Sequence, residues 1–132
     1  MADRNTMQKE IIYRTLCGMR CHPTANLVYD RVHRSHPTVS RSTVYRVLSR
    51  MADEGKILRL DLAGDNSRYD GEIRPHSHIR CRVCGAVADL PQVRVDMPEE
   101  DGGFLVESWA VMYKGLCPEC RRRAADVSLA AP

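Results

Sequence analysis

No stretch of the 132-residue sequence approaches the roughly 18 consecutive apolar residues that a membrane-spanning helix needs. The first six residues are polar and lack the apolar centre of a secretory signal peptide. These two absences predict a cytoplasmic location and no membrane partner. The composition, 43% hydrophobic and 28% charged, is typical of a folded globular protein rather than of a disordered chain.

The sequence also lacks the residue arrangements of a hydrolytic enzyme and of a disulfide-bonded secreted domain. No Ser/His/Asp or Cys/His nucleophile arrangement is evident, so we expect the protein not to be an enzyme. Six cysteines are present, but no secretory signal accompanies them. In a reducing compartment, spaced cysteine pairs are more often metal ligands than disulfides.

Charge is divided unevenly along the chain, although its sum is only +3. Residues 1–60 contain eleven Lys and Arg against five Asp and Glu, which gives +6, and residues 61–132 contain nine against twelve, which gives −3. Such a division also arises by chance, but a basic first half favours a nucleic-acid partner. The two halves therefore suggest two different tasks.

The first half of the chain predicts three helices and a hairpin. A first helix covers about residues 6–19, a second is capped by Thr24, and a third is capped by Ser40 and ends before Gly55. The third helix carries an apolar stripe with helical spacing, formed by Val44, Val47, Leu48 and Met51. Extended runs at 57–62 and 67–69 flank a Gly- and Asn-containing turn at 63–66 and predict a β-hairpin.

These elements predict an α+β protein with two domains. Three helices followed by a hairpin are the layout of a winged helix-turn-helix, which we assign to residues 1–71. Residues 72–132 predict a small α/β domain with strands over 79–90 and 104–113. Residues 91–103 predict a loop or a short weak helix, and the tail is expected to fray beyond about Ala125.

Two C-x-x-C pairs lie far apart in the second half. Cys81 and Cys84 form one pair, and Cys117 and Cys120 form the other. Two residues between the cysteines let both sulfurs face one ion, and two pairs complete the tetrahedron that structural Zn²⁺ prefers. A redox pair is the alternative, but it normally starts a helix in a thioredoxin-like βαβ unit, which this sequence lacks. A third possibility is that the four are unrelated core cysteines.

The remaining two cysteines, Cys17 and Cys21, lack the C-x-x-C spacing. We expect them to be small hydrophobic residues on the side of a helix.

A second group of residues is rich in imidazole and carboxylate. His76 and His78 are two residues apart, so an extended backbone turns both to one face and predicts a metal-binding pair. A solvated turn with incidental histidines is the alternative. If His22, Asp70 and Asp89 converge on this pair, the mixed nitrogen and oxygen donors suit Fe²⁺, Mn²⁺, Co²⁺ or Zn²⁺. Because such ligands come from both halves of the chain, the metal would fix one half against the other.

Taken in order, these segments resemble the ferric-uptake-regulator family of bacterial metal-dependent repressors. The resemblance covers about residues 6–123 and depends on the order and spacing of six segments: His22-Pro23-Thr24-Ala25, Ser42-Thr43-Val44-Tyr45-Arg46-Val47-Leu48, Ser67-Arg68-Tyr69-Asp70, His76-Ser77-His78, Cys81-x-x-Cys84-Gly85 with Asp89, and Cys117-x-x-Cys120. It implies a winged helix followed by a dimerisation domain, and therefore a homodimer that binds a double-stranded DNA operator.

The resemblance also implies roles for individual residues. The family's structural zinc ligands match the four paired cysteines, and its regulatory metal ligands match His22, Asp70, His76, His78 and Asp89. The third helix matches the recognition helix. Its candidate DNA contacts are Arg41, Ser42, Thr43, Tyr45 and Arg46. Of these, Tyr45 would contact bases, and Arg46 would contact phosphate or bases in the major groove.

Within the family, the members that sense peroxide carry Asp at the positions that match Asp70 and Asp89, and this sequence resembles them there. Iron-uptake regulators usually carry Glu in place of Asp89. In those sensors bound Fe²⁺ reacts with hydrogen peroxide, an imidazole ligand is oxidised, and the protein loses its metal and leaves DNA. The matching targets are His22 and His76. The resemblance thus implies a peroxide-responsive repressor with Fe²⁺ as its sensing metal.

The alternative within the family is a regulator of iron, manganese or zinc uptake that answers to metal supply alone, with Mn²⁺ or Zn²⁺ in the regulatory site. A zinc-ribbon enzyme and a zinc adaptor that binds no DNA are readings from other classes. A zinc adaptor that binds no DNA would not explain the basic residues of segment 41–50.

Overall fold

The computed structural model describes residues 3–62, 66–94, 96, 102–107 and 109–130 and divides into two units, Met1–Arg74 and Pro75–Pro132. The assignment of DNA binding to residues 1–71 and of dimerisation to residues 72–132 stays a prediction. Within the described ranges, no helix is both long enough and apolar enough to cross a membrane.

The first unit begins with three helices: α1 at Arg4–Cys17, α2 at Ala25–Ser35 and α3 at Arg41–Asp53. The two predicted caps are confirmed. The Thr24 hydroxyl accepts a hydrogen bond from the backbone N–H of Leu27 at 3.3 Å, and the Ser40 hydroxyl accepts one from the N–H of Thr43 at 3.2 Å. Each hydroxyl satisfies an N–H that the helix itself leaves unpaired.

The hydrophobic core of the first unit is formed where the three helices meet. The predicted stripe of α3 is confirmed, because Val44, Val47, Leu48 and Met51 are all buried. The other fully buried members of this cluster come from the remaining elements, with Ile12 and Leu16 on α1, Val28 and Val32 on α2, and Val39 and Ile57 in the connections. Burial of this cluster fixes the orientation of α3, so that its polar side faces solvent.

A two-stranded antiparallel hairpin follows α3 and completes a winged helix. Strand β1 covers Leu58–Leu60 and β2 covers Arg68–Asp70, with Leu58 opposite Asp70. The predicted turn at 63–66 lies largely outside the described residues. Strand β2 also pairs with the turn before α2, since the N–H of Tyr69 donates to the carbonyl of Pro23 at 2.9 Å. This pairing places the end of β2 beside His22.

The second unit is a three-stranded sheet followed by a helix: β3 at Ser77–Cys81, β4 at Val87–Leu90, β5 at Met112–Gly115 and α4 at Pro118–Ala130. Strand β3 is central, with β4 antiparallel on one side and β5 parallel on the other. The predicted α+β class is thus confirmed. The predicted strand over 79–90 is two strands, because Cys81 to Ala86 form a turn that reverses the chain.

The predicted start of the strand over 104–113 is wrong. Residues 104–107 belong to no strand of the described sheet, and β5 begins only at Met112, since β-forming side chains make a strand only where a neighbouring strand pairs with them. Of the predicted loop at 91–103, residues 91–94, 96, 102 and 103 are described and none of them belongs to a helix or a strand; the rest lies outside the described residues.

Helix α4 continues to Ala130, and the expectation that the tail frays beyond about Ala125 stays a prediction. Its alanines favour a helix, and Arg123 donates to Glu119 one turn earlier at 2.6 Å.

Candidate metal centre

Both C-x-x-C pairs meet in the second unit. The Sγ atoms of Cys81, Cys84, Cys117 and Cys120 all lie within 4.8 Å of one another. The Sγ atoms of Cys84 and Cys117 are 3.7 Å apart. In a tetrahedral site with Zn–S bonds of roughly 2.3 Å, the sulfurs lie roughly 3.8 Å from one another. The cluster therefore has the size that a tetrahedral Zn²⁺ needs.

Local backbone structure explains why the two pairs meet. Cys81 ends β3, and the chain reverses at Gly85, whose φ of 77° is readily adopted only by glycine. Cys81 is opposite Gly115 in the parallel β3–β5 pair, so the residues after β5 arrive beside the first pair. The second pair then opens α4, where the N–H of Cys120 donates to the sulfur of Cys117 at 3.4 Å.

The local environment shifts the pKa values of two of the four thiols in opposite directions. Backbone N–H groups, above all that of Cys84 and then that of Cys117, lower the pKa of Cys81 from 9.0 to about 6. Hydrogen bonding with Cys117, followed by burial, raises the pKa of Cys120 to about 12. At neutral pH Cys81 is therefore a thiolate that attracts a cation, whereas Cys120 keeps its proton until a cation displaces it.

One imidazole–carboxylate pair lies in the first unit. Nε2 of His22 is 3.3 Å from Oδ2 of Asp70, and both side chains are largely buried. The other oxygen of Asp70 accepts the backbone N–H of Glu72 at 2.9 Å. His22 has a φ of 51°, a left-handed conformation that costs a non-glycine residue roughly 1–2 kcal/mol. Its carbonyl accepts a hydrogen bond of 3.2 Å from Nη1 of Arg68, which helps to hold that conformation.

A second imidazole–carboxylate group lies in the second unit. Oδ1 of Asp89 is 3.1 Å from Nε2 of His76 and 3.4 Å from Nε2 of His78. His78 and Asp89 face each other directly across the antiparallel β3–β4 pair. The two imidazoles are nearly buried, while the Asp89 side chain is 54% exposed. One carboxylate oxygen therefore lies between two imidazole nitrogens at a position that solvent reaches.

Both groups fit a divalent cation chemically. Each presents imidazole Nε2 atoms 3.1 to 3.4 Å from carboxylate oxygens, and a cation could be bound by both kinds of donor. Nitrogen and oxygen donors suit Fe²⁺, Mn²⁺ and Zn²⁺, whereas thiolates favour softer ions or structural zinc. Among the described residues, the thiol cluster and the imidazole–carboxylate groups have no side chain in common.

The polar side of α3 carries the candidate DNA contacts. Tyr45 is 43% exposed, and Arg41, Ser42 and Arg46 are exposed beside it. Thr43 is only half-buried, but its hydroxyl lies 2.8 Å from the hydroxyl of Ser40, so it already takes part in the helix cap. The surface that α3 offers to solvent is basic, aromatic and hydroxylic.

Cys17 and Cys21 are not the small hydrophobic residues that the sequence led us to expect. Both are exposed; Cys17 ends α1, and Cys21 lies in the turn that follows it. The prediction is wrong because α1 directs Ile12 and Leu16 into the core, which leaves the next position on the outer side of the helix.

Comparison with known proteins adds to this geometry. The family model described as "Ferric uptake regulator family" matches residues 2–102. This chain belongs to the ferric uptake regulator family. Members of the family are metal-responsive transcription regulators and not enzymes, so the expectation that the chain is not an enzyme is confirmed.

Among the family relatives, "Transcriptional regulator FurA" of Mycobacterium tuberculosis is 33% identical over 110 residues, which cover 78% of this chain and 75% of that protein. "Peroxide-responsive repressor PerR" of Staphylococcus epidermidis is 29% identical over 122 residues, or 89% of this chain and 81% of that protein. The peroxide stress regulator of Campylobacter jejuni has a similar fold, with a TM-score of 0.70, 22% identity, and 89% and 91% of the two chains covered.

Arg68 is a residue that motif reasoning did not single out, although it belongs to the Ser67-Arg68-Tyr69-Asp70 segment. Arg68 lies on β2, two residues before Asp70, and its side chain donates a hydrogen bond to the carbonyl of His22. The alternation of a β-strand turns residues 68 and 70 to one face, which is the signal that could have associated Arg68 with the metal ligands.

Proposed function

We propose that this family member is a homodimeric repressor that senses hydrogen peroxide through Fe²⁺. In this proposal, a structural Zn²⁺ occupies the four-cysteine cluster, and Fe²⁺ is held jointly by the two imidazole–carboxylate groups: His22, Asp70, His76, His78 and Asp89. The Fe²⁺-loaded protein binds a double-stranded DNA operator through α3.

The observation that carries the sensing proposal is the composition and openness of the second donor group. Its donors are imidazoles and the carboxylate of Asp89, which is 54% exposed, so a small polar molecule can reach the ligands. Fe²⁺ held by these residues would supply a one-electron reduction of hydrogen peroxide, which breaks the O–O bond as the ion becomes Fe³⁺. His22 and His76, each in contact with a carboxylate, are the side chains that we expect to gain the oxygen atom.

Oxidation would end metal binding because an oxidised imidazole is a poor nitrogen donor. The ion that bridges the two groups would then be lost, and with it the bias towards the DNA-binding arrangement. Mn²⁺ in the same ligands does not reduce peroxide, so the Mn²⁺-loaded protein should keep its DNA. This contrast makes the choice of metal the control.

The test starts from a DNA duplex that the metal-loaded protein selects from a random library. Protein loaded anaerobically with Fe²⁺ is exposed to a low dose of peroxide, then assayed for duplex retention and for oxygen uptake by peptide mass spectrometry. We expect release of the duplex and oxygen on His22 or His76, with none on the exposed His33. Mn²⁺-loaded protein treated in parallel should show neither change.

The second candidate function is a regulator that answers to metal supply alone, favoured by the similarity to FurA. Retention of the duplex without oxygen on either histidine after peroxide, but release on removal of the metal, would establish this function and exclude the peroxide proposal.

Contact between α3 and DNA is tested separately. Tyr45→Ala and Arg46→Ala remove the exposed aromatic ring and guanidinium from the middle of the helix. Each should weaken binding to the selected duplex by about tenfold, in the range of one lost base contact, without loss of zinc. Unchanged affinity in both variants would contradict the placement of the recognition helix.

Dimerisation is supported by apolar side chains that the second unit leaves in solvent. Phe104 is 78% exposed, Leu105 84% and Trp109 45%, and a single copy gains nothing from such exposure. Strand β5 has β3 as its only neighbour in the described sheet. Light scattering should give the mass of a dimer, and Leu105→Glu should give a monomer. Leu27→Glu, at an exposed position of α2, is the matched control and should remain dimeric.

A further inference from the structure

The guanidinium of Arg41 is held on two sides by side chains of α2. Its central carbon lies 4.6 Å from the centroid of the Tyr29 ring, and its Nη1 donates a hydrogen bond to Oδ1 of Asn26. Arg41 is the first residue of α3, so these contacts join the first half of α2 to the start of the candidate recognition helix.

The Tyr29 ring is a firm support for this contact. It is half-buried and packs against the hydrophobic core. Its hydroxyl and Nδ1 of His33 lie 3.4 Å apart and share a hydrogen bond, with the two rings 5.3 Å apart. Asn26 is three residues before Tyr29, one turn away on the same side of α2. Two neighbouring positions of α2 thus hold the same guanidinium.

This arrangement leaves most of the guanidinium free to bind. Stacking uses the flat face of the group, and Asn26 takes one of its five N–H donors. The backbone of Arg41 starts α3, and the N–H groups at this end of the helix also favour an anion. A long flexible side chain normally loses freedom when it binds, and this one is already restrained.

We propose that Asn26 and Tyr29 are positioning residues that hold Arg41 for contact with a DNA phosphate. The proposal rests on the proposed DNA-binding function of α3 and assigns to α2 a role in affinity that the motif analysis did not. The opposing interpretation is that the stack merely fastens α2 to α3. The two interpretations differ in what Arg41 contacts: a positioning role requires that Arg41 itself binds a phosphate, so that its removal lowers the salt dependence of binding, whereas a stack that only fastens α2 to α3 leaves that dependence unchanged.

The experiment measures binding of the metal-loaded full chain to the library-selected duplex over a range of salt concentrations. Arg41→Ala should reduce the slope of log affinity against log salt by about 0.9, the value for one lost phosphate contact. Tyr29→Leu and Asn26→Ala should each weaken binding roughly two- to tenfold and leave that slope unchanged. Tyr29→Phe, which keeps the ring, should recover most of the affinity lost in Tyr29→Leu.

The decisive comparison is a double-mutant cycle. In the Arg41→Ala background, neither Tyr29→Leu nor Asn26→Ala should weaken binding further. Equal losses in both backgrounds would overturn the proposal and show that Tyr29 and Asn26 act independently of Arg41. Unchanged affinity in both single variants, Tyr29→Leu and Asn26→Ala, would also overturn the proposal. Failure of the wild-type protein to select any duplex would instead overturn the proposed function, and this inference with it.

Discussion

Loss of the zinc cluster should unfold the second unit and leave the first one folded. The hydrophobic cluster of the molecule belongs to the first unit, from Ile12 to Tyr69. Among the described residues of the second unit, the buried apolar ones are Val87 and the two cysteines Cys81 and Cys120. The sulfurs therefore occupy the place of a core.

The magnitudes decide how this unit is stabilised. Burial of one valine contributes roughly 1.5–3 kcal/mol, while ordering each residue of the backbone costs roughly 1–2 kcal/mol. Zinc binding to four cysteines contributes on the order of 10–16 kcal/mol at neutral pH, which equals or exceeds the whole stability of a typical domain. Without the ion, the sheet of the second unit has too little buried apolar surface to persist.

The sequence provides the assay. The only tryptophan, Trp109, lies in the second unit, so its fluorescence reports on that unit, while amide hydrogen exchange follows α1 to α3. Cys81→Ser should shift the Trp109 emission and abolish protection in β3 and β5 at a dilution that prevents dimerisation. Protection in the first three helices should stay. Cys17→Ser, which removes an exposed thiol, is the control and should change neither signal.

The reasoning would be refuted by one clear result. If Cys81→Ser protein that contains no zinc by native mass spectrometry keeps both its tryptophan emission and its β3 protection, the sheet is stable by itself. The cluster would then be an accessory to the fold rather than its main support.

Two further predictions concern the metal sites, and a third concerns α3. Because Cys81 has a pKa of about 6, its thiol binds zinc without losing a proton above that pH but must lose one below it. The slope of log zinc affinity against pH should therefore become steeper by about one unit between pH 7 and pH 5. A constant slope would contradict this prediction. In calorimetric titration, Asp89→Ala should weaken Mn²⁺ binding by about tenfold or more. The control variant Asp126→Ala, at an exposed position of α4, should leave Mn²⁺ affinity unchanged. Ser40→Ala should lower the free energy of unfolding of the first unit by about 1 kcal/mol in urea denaturation, and an unchanged midpoint would show that the cap contributes nothing.

Local signals predicted the first unit well because its elements are determined by short-range chemistry. Ser40 caps α3 through an N–H three residues later, and the apolar stripe of that helix follows directly from its period. Neither feature depends on a distant part of the chain. The same holds for the two C-x-x-C pairs, whose spacing alone indicates an ion.

Features that depend on pairing between distant segments could not be predicted from the sequence. The start of β5 is set by its register with β3, in which His78 is opposite Met112, and nothing near residue 104 reveals that register. Likewise, the contact of Arg41 with Tyr29 joins two helices, and no motif contains both. Asp89 could be proposed as a ligand from the resemblance, but its position opposite His78 follows from the length of the turn at Cys81–Ala86.

The two kinds of metal group differ in what their loss would do, and this difference fits a switch. Cys81 and Cys120 are buried in the second unit, so we expect that losing an ion from the four-cysteine cluster would unfold the sheet around them. The imidazole–carboxylate groups sit on elements that are held by other bonds. His22 and Asp70 are placed by the pairing of β2 with the turn before α2, and His78 and Asp89 by the β3–β4 ladder. An ion can leave these ligands while each element stays formed, which is what a switch based on metal loss requires.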